Sequence, residues 1–330
     1  MVWYLNIANE GKFADQRDGI KFTSACDVNA HSVTMILFIR FLANKHIPGF
    51  GKIIRFFQGR SVVARGFLQA AEPIKVADDQ CNHCDFKTFS LIIGNSRSGS
   101  TILGSIVDAH PNAIVANETM ASQAFWKGMS KGEILGEIIE NSSANYRSGR
   151  QSEDYQYQIG ASPESKSSVC VYGDKIWNPA TLLLHGDYDL ISRLENQLAA
   201  RVVLIASIRN PFDTIATMHR RSQAPIKDRI RWFFMHCEAL AAIEEKTAQS
   251  DFLISYHEQL IDCPNEEISR ICRALMLPVN DQHLANVKRL LYRRPSKSGA
   301  ALDWKLAEVE EVLERMQRFP FLTVYENQTP

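Results

Sequence analysis

Residues 90–107 constrain the fold more than any other part of this 330-residue chain. An apolar run ends at Gly94, a turn rich in Ser and Gly follows, and apolar residues then recur at helical spacing as far as Val107. A strand, a loop and a helix in this order direct backbone N–H groups and a helix N-terminus at one anion. The segment therefore predicts an anion-binding loop within an α/β fold.

This loop departs from the loops that bind ATP and GTP. Gly94 and Gly99 have the spacing of G-x-x-x-x-G-K-[ST], but Ser100 stands at the lysine position, and the cation lies three residues earlier at Arg97. A triphosphate needs that lysine together with Mg²⁺, whereas a guanidinium suits a shorter anion without a metal. A nucleotide kinase or NTPase with a degenerate loop is the alternative.

Short apolar runs alternate with helical patterns through the rest of the chain. This alternation predicts a parallel sheet with helices on both faces, which is a P-loop-like three-layer α/β fold. The polar segment 142–168 shows no apolar period, so we expect it to be either a mobile lid or a disordered insert. The candidate strands are 89–94, 113–115, 169–172, 202–208 and 252–255.

A second strand–turn–helix segment centres on Arg209. Asn210 is a good N-cap, Pro211 suits the first helical position, and Asp213 can bond back to the cap. Arg209 ends its strand at the carboxyl edge of the sheet, where ligands of open α/β folds bind, and Thr217 adds a hydroxyl two turns into the helix. Together with the first loop, these residues predict a ligand with two phosphate-like groups; a salt bridge and a cap without a ligand are the alternative.

The N-terminal part has a different character. No carboxylate occurs between Asp27 and Glu72, and Lys and Arg alternate with apolar residues over 31–70. Such a basic amphipathic stretch predicts helices that pack on the main domain, with contact to a membrane surface as the alternative. We therefore divide the chain into a helical N-terminal extension, residues 1–87, and a domain of residues 88–330.

Composition narrows the class of protein. Lys plus Arg equals Asp plus Glu at 37 each, so no global field favours nucleic acid as a partner. The seven cysteines are irregularly spaced, which indicates reduced thiols and a cytoplasmic protein. Cys81 and Cys84 lack the second pair that a zinc site needs, so we predict no metal. The apolar run 33–42 contains Arg40 and is shorter than the roughly 20 residues of a membrane span.

The two anion segments together resemble the sulfotransferases that use 3′-phosphoadenosine 5′-phosphosulfate (PAPS). In that family a P-[KR]-S-G-T-[TS] loop binds the 5′-phosphosulfate, and an R-x-P-x-D segment followed by Ser clamps the 3′-phosphate. Arg209, Pro211 and Asp213 match the second segment, with Thr217 in the Ser place. The loop is represented by Ser96, Arg97, Ser98, Gly99, Ser100 and Thr101.

The Arg form of the loop is most similar to the tyrosylprotein and related bacterial sulfotransferases. In that branch a Glu after the second strand is the catalytic base, which implies this role for Glu118, with Asp174 as the rival or as an ion-pair partner of its neighbour. A Lys of the third strand region contacts the sulfuryl group, which implies Lys175. The usual Tyr of an adenine contact is replaced by His257, and Tyr256 lies beside it.

The resemblance implies that residues 88–330 form a sulfotransferase domain. Its expected reaction moves a sulfuryl group from PAPS to a hydroxyl or to an amine or amide nitrogen, releases adenosine 3′,5′-bisphosphate and needs no metal. We expect the acceptor to be a small specialised metabolite; a tyrosyl peptide or a glycan is the alternative. Arg294 or Lys297 is expected to close over the 3′-phosphate.

Overall fold

The computed structural model describes residues 86–119, 129–152, 155–157, 161–166, 168–176, 178–291 and 294–330. The basic stretch 31–70 and the pair Cys81 and Cys84 lie outside these residues, as does nearly all of the predicted N-terminal extension. The chain divides into two compact units. One comprises Met1–Glu72 with Ser222–Ala224, and the other, which holds almost all described residues, comprises Pro73–Arg221 with Pro225–Pro330.

Each strand of the five-stranded sheet is followed by one or more helices in the described part of the chain, as the sequence predicts. The strands are β1 (Thr88–Gly94), β2 (Ala113–Asn117), β3 (Arg150–Ser152), β4 (Tyr155–Tyr157), β5 (Val171–Lys175), β6 (Arg201–Ile208) and β7 (Phe252–Tyr256). The helices are α1 (Ser100–Asp108), α2 (Lys131–Ser148), α3 (Pro179–Gly186), α4 (Asp189–Leu198), α5 (Pro211–Ser222), α6 (Ile226–Lys246), α7 (His257–Asp262), α8 (Pro264–Ala274), α9 (Asp281–Leu290) and α10 (Leu306–Met316). Among the described helices, none has both the length and the apolar composition that crossing a bilayer requires.

Five strands form one parallel sheet in the order β2-β5-β1-β6-β7, which confirms the predicted α/β fold. β1 lies at the centre, and its first residue, Thr88, pairs with Val171 of β5 and with Arg201 of β6. Because all five strands run in the same direction, their carboxyl ends meet at one edge of the sheet. The loops that follow Gly94, Asn117, Lys175 and Ile208 therefore all begin at that edge.

Apolar residues cover both faces of the central strands. Ile92 and Val203 belong to a core cluster that includes residues of α1, α7 and α8. Leu91 and Ile93 point to the opposite face because side chains alternate along a strand, and both are buried. On that side α3 and α6 pack against β1 and against each other. Burial on both faces explains why the sequences of β1 and β6 are mainly apolar rather than strictly alternating.

The prediction of a lid or a disordered insert at 142–168 is wrong for the described residues of that segment. Helix α2 begins with a capping box formed by Ser130 and Glu133 and continues to Ser148. β3 and β4 then pair as an antiparallel hairpin, and a 3₁₀ turn follows at Pro163–Ser165. Apolar periodicity did not predict this order because polar contacts to Asp108, in the core of the same unit, hold the segment.

Asp108, fully buried at the end of α1, is the centre of those contacts. Arg150 Nη2 lies 3.3 Å from Asp108 Oδ2, and Lys166 Nζ lies 3.4 Å from Asp108 Oδ1. The Ser142 hydroxyl lies 3.1 Å from both carboxylate oxygens, and the Val115 N–H donates to Oδ1 at 2.8 Å. A buried charge is tolerated only when it is paired and hydrogen-bonded. The cluster therefore contributes polar and ionic contacts that fix the segment on the sheet.

Replacing Ser142 by Ala tests this account of the segment. We expect Ser142→Ala to lower the free energy of unfolding by about 2 kcal/mol, because a hydrogen bond to a charged group contributes about 1.5–3 kcal/mol. Urea unfolding measures the change. Ser90→Ala is the matched control, since the Ser90 hydroxyl is buried with no hydrogen-bond partner among the described residues. Equal losses in the two variants would contradict the role of Ser142.

Candidate active site

The first anion loop connects β1 to α1 as the sequence predicts. Gly99 caps α1 with a φ of 93°, and Arg97 at the crown of the turn has a φ of 68°. A Cβ on Gly99 would lie 2.3 Å from His257 Nδ1, so only glycine fits beside that ring. Because Gly99 supplies no capping side chain, the first N–H groups of α1 remain directed at the loop. This is the arrangement that binds an anion at a helix N-terminus.

The turn is held by hydrogen bonds from its own residues and from neighbouring elements. The Ser98 hydroxyl donates to Asn95 O at 2.8 Å, and the Ser207 hydroxyl of β6 donates to Ser98 O at 3.0 Å. Asn178 Nδ2 donates to Gly94 O at 3.2 Å. The Ser98 side chain, 1% exposed, is thus part of the loop's support. Of the predicted loop residues, Ser98 can reach a ligand only through its backbone.

Glu118 and Lys175, which the sequence separates by 57 positions, form an ion pair. Lys175 Nζ donates to Glu118 Oε1, and the lysine side chain is 4% exposed while the glutamate is 27% exposed. They meet because β2 and β5 are neighbours, with Asn117 opposite Lys175. The predicted base and the predicted sulfuryl-contacting cation therefore occupy one place at the carboxyl edge of the sheet.

Asp174, the rival base, occupies a different environment. Its side chain is fully buried, and it accepts hydrogen bonds from Thr119 Oγ1 at 2.8 Å and from Thr119 N at 3.4 Å. Burial raises the pKa of Asp174 to about 6, although the two hydrogen bonds oppose this rise. The ion pair of Lys175 is made with Glu118, which has the more exposed of the two carboxylates.

Arg209 lies directly against the first loop. Its Nη1 donates to Arg97 O at 3.3 Å, and its Nη2 donates to Ser296 O at 2.7 Å. Arg209 is 8% exposed, and its Nε is buried without a hydrogen-bond partner in the described part of the chain. The two predicted anion segments therefore form one continuous region, with a buried guanidinium between them.

The start of α5 follows the predicted cap only in part. Asn210 Oδ1 accepts from the N–H groups of Phe212 at 2.9 Å and Asp213 at 3.3 Å, which confirms the N-cap. The Asp213 carboxylate does not bond back to the cap as predicted but accepts from Gly299 N at 2.6 Å. Burial raises the pKa of Asp213, while this bond and the charge of Arg209 oppose the rise. Asp213 thus ties the loop before residue 299 to the second anion segment.

The loop at 294–299 covers the second anion segment through residues that the sequence did not single out. Ser298 Oγ lies 2.8 Å from Thr217 Oγ1 and 3.3 Å from Arg209 Nη2. A Cβ on Gly299 would lie 3.0 Å from the Phe212 side chain, so this close approach favours glycine. Arg294 and Lys297, which we expected near the 3′-phosphate, belong to this loop and are exposed. The glycine was the only sequence signal for the contact.

At the end of β7 the structure separates Tyr256 from His257. The Tyr256 hydroxyl donates to Phe321 O at 3.2 Å, toward the C-terminal 3₁₀ turn Pro320–Tyr325. The His257 ring instead lies against Gly99 of the loop. Burial, and then the charge of Arg209, lower the pKa of His257 to about 3, so the ring is neutral. A nucleotide contact by Tyr256 stays a prediction, and His257 is the nearer neighbour of the loop.

Comparison with known proteins gives similarity in structure only. No model of a known protein family matches the chain, and no curated protein matches it. It is similar to mouse sulfotransferase SULT7A1 complexed with PAP, at 12% identity and a TM-score of 0.43, over 74% of this chain and 91% of that one.

Two bacterial sulfotransferases show a similar level of likeness. STF9 from Mycobacterium avium is 12% identical with a TM-score of 0.42, over 88% of this chain and 91% of that one. The enzyme from Alicyclobacillus acidocaldarius is 14% identical with a TM-score of 0.41, over 74% and 97%. Similarity at this level does not identify a reaction or an acceptor, so both have to be inferred from the residues of the site.

Proposed function

We propose that this protein is a sulfotransferase that moves a sulfuryl group from PAPS to a hydroxyl, amine or amide nitrogen of a small acceptor. The contact of Arg209 with the carbonyl of Arg97 carries the proposal. It joins two anion-binding segments into one region, as a donor with phosphate groups at both ends of a nucleoside requires. The Glu118–Lys175 pair follows two neighbouring strands at the same edge of the sheet.

The residues present fit this donor. The buried Nε of Arg209, without a partner in the described residues, is a donor available to a 3′-phosphate. Thr217 and Lys297 lie beside Asp213 and complete this end, with Arg294 and Tyr256 as further candidate contacts. The 5′-phosphosulfate would be held by backbone N–H groups of the loop and by side chains at its crown and at the start of α1. These residues are Ser96, Arg97, Ser98, Gly99, Ser100 and Thr101.

The chemistry follows from the two charges of the ion pair. Glu118 accepts the proton of the acceptor O–H or N–H as that atom forms its bond to sulfur. The bond between sulfur and the bridging oxygen of the phosphosulfate breaks, and adenosine 3′,5′-bisphosphate leaves with the electron pair. Lys175 and Arg97 stabilise the negative charge that builds on that oxygen, which is catalysis by preorganised charge. The cationic side chains supply this stabilisation, so the proposal includes no metal.

Calorimetry with adenosine 3′,5′-bisphosphate in excess EDTA tests the binding half of the proposal. We expect saturable binding at one site, because the region provides Arg97 and Arg209 in place of a metal-dependent triphosphate loop.

The transfer half of the proposal is tested by incubating ³⁵S-labelled PAPS with a panel of small phenols, alcohols and amines. Tyrosyl peptides and glycans form separate arms of that panel. Mg²⁺-dependent turnover of ATP, without binding of the bisphosphate, would instead indicate a kinase or NTPase.

A further inference from the structure

Glu118 holds its position in a backbone conformation that a long side chain rarely adopts. Its φ is 57°, in the left-handed region, where the Cβ of an L-residue is crowded by its own backbone. Such a conformation persists only when the surrounding structure specifies it. The side chain that the proposed reaction needs as a base is therefore aimed by whatever holds this turn.

The contacts that hold the turn come from two successive residues of β5. Glu118 N donates to Lys175 O at 2.8 Å. The next residue, Thr119, donates to Asp174 with both its hydroxyl and its N–H, at 2.8 and 3.4 Å. One side of the left-handed residue is thus tied to the backbone of β5, and the other side is tied to a carboxylate of the same strand.

The Asp174 carboxylate is costly to keep in this place. It is fully buried, and burial raises its pKa to about 6. The charged groups that act on it are Arg150 and Lys175, which favour its ionised form, and Glu118, which opposes it. Arg150 is itself fully buried, and lies behind the helix of the anion loop, where a Cβ on Gly104 would be 2.6 Å from its Nη1. A buried carboxylate is costly, so its retention here indicates a structural or functional role. Among the described residues, its hydrogen bonds are donated by Thr119.

We propose that Asp174 is a positioning residue for sulfuryl transfer, which acts by holding Thr119 so that the left-handed turn keeps Glu118 in contact with Lys175. The inference rests on the proposed function for the reaction it assists, but the geometry it describes can be tested independently. Asp174 does not touch the reacting atoms in this account. Its carboxylate accepts two hydrogen bonds from Thr119. Val at position 119 lacks the hydroxyl that donates one of them, and Ala at position 174 can accept neither.

The kinetic test uses Thr119→Val and Asp174→Ala in the full chain. We expect each to lower kcat by about tenfold, because a base displaced by a fraction of an ångström loses much of its effect. The Kd of adenosine 3′,5′-bisphosphate should stay within about twofold. Thr119→Ser keeps the hydroxyl and should recover most of the kcat. Thr88→Val is the matched control, since the Thr88 hydroxyl is buried at the far end of β1 with no partner among the described residues.

The dependence of kcat on pH distinguishes a positioning role of Asp174 from a purely structural one, which would leave the acid limb unchanged. The hydrogen bond from the Thr119 hydroxyl lowers the pKa of Asp174, so its loss in Thr119→Val should raise that pKa. The ionised carboxylate would then be lost at a higher pH, and the acid limb of kcat should shift upward in Thr119→Val. The Thr88→Val limb should coincide with that of the unmodified chain. Coincident limbs in all three proteins would contradict the proposal.

Crystal structures of Thr119→Val and Asp174→Ala separate this inference from the proposed function. We expect Glu118 to leave the left-handed region and to lose its contact with Lys175 in both variants. If both features persist in both variants, the inference is wrong, whatever the activity. If the unmodified chain transfers no label from PAPS to any acceptor, the proposed function fails, and the backbone at Glu118 still decides whether Asp174 holds the turn.

Discussion

Glu118→Gln is expected to reduce sulfuryl transfer by about a thousandfold, because a positioned general base contributes roughly 10²- to 10⁴-fold to a rate. Gln keeps the size of the side chain but cannot accept the acceptor's proton. Lys175 loses its carboxylate partner but keeps its charge for the leaving oxygen. The rate of label transfer from PAPS to the acceptor identified in the panel measures the effect.

The control for Glu118→Gln removes a carboxylate elsewhere. Glu266, in the first turn of α8, is exposed, and Glu266→Gln should leave the rate within about twofold. The Kd of adenosine 3′,5′-bisphosphate should be nearly the same in both variants, because Glu118 is proposed to meet the acceptor rather than the nucleotide. Turnover of Glu118→Gln at the rate of the unmodified chain would remove Glu118 as the base and make Asp174 the candidate to test.

Arg209→Gln is expected to weaken binding of adenosine 3′,5′-bisphosphate by about a hundredfold, or about 2.7 kcal/mol. The guanidinium is nearly buried, so its charge acts on a phosphate with little screening. Gln can replace one of its hydrogen bonds to Arg97 O and Ser296 O but supplies no charge. Calorimetry at fixed ionic strength measures the loss.

Arg201, at the amino end of β6, provides the control for Arg209, which follows the carboxyl end of that strand. Arg201 begins the strand and pairs with Asp251 at the edge of the sheet opposite the site. Arg201→Gln also removes one positive charge, but from the end of β6 away from the site. It should leave the Kd of adenosine 3′,5′-bisphosphate within about twofold. An equal loss of affinity in the two variants would mean that net charge, rather than the position of Arg209, governs the binding of the bisphosphate. No loss in Arg209→Gln would place the 3′-phosphate elsewhere.

The local sequence pattern was sufficient to predict the strands of the main sheet and the two anion loops. The central strands β1 and β6 are mainly apolar because they are buried on both faces, and the runs at 89–94 and 202–208 each lead through a turn into a helix. Asn210 followed by Pro211 specifies a helix start by chemistry within a few residues, and the cap is present. A property decided by neighbours in sequence can be read from sequence.

For segment 142–168, the local sequence pattern failed to predict the helix, the strand pair and the 3₁₀ turn that the structure contains. Helix α2 begins at a capping box formed by Ser130 and Glu133, but the position of its later turns depends on Asp108, a residue 34 positions from Ser142. Because a charged cluster replaces apolar contacts there, the hydrophobic period that normally marks order is missing. The segment was therefore mistaken for a lid or an insert.

The sequence alone determined the five strands of the main sheet, the helices that follow them and the two anion loops, because short-range stereochemistry and burial decide these. Only the tertiary structure decided which distant residues meet. Parallel pairing of β2 with β5 brings Glu118 to Lys175, and pairing of β1 with β6 brings Arg209 to the Arg97 carbonyl. Pairing partners are chosen by the packing of the whole sheet, which is a long-range property that no local spacing records.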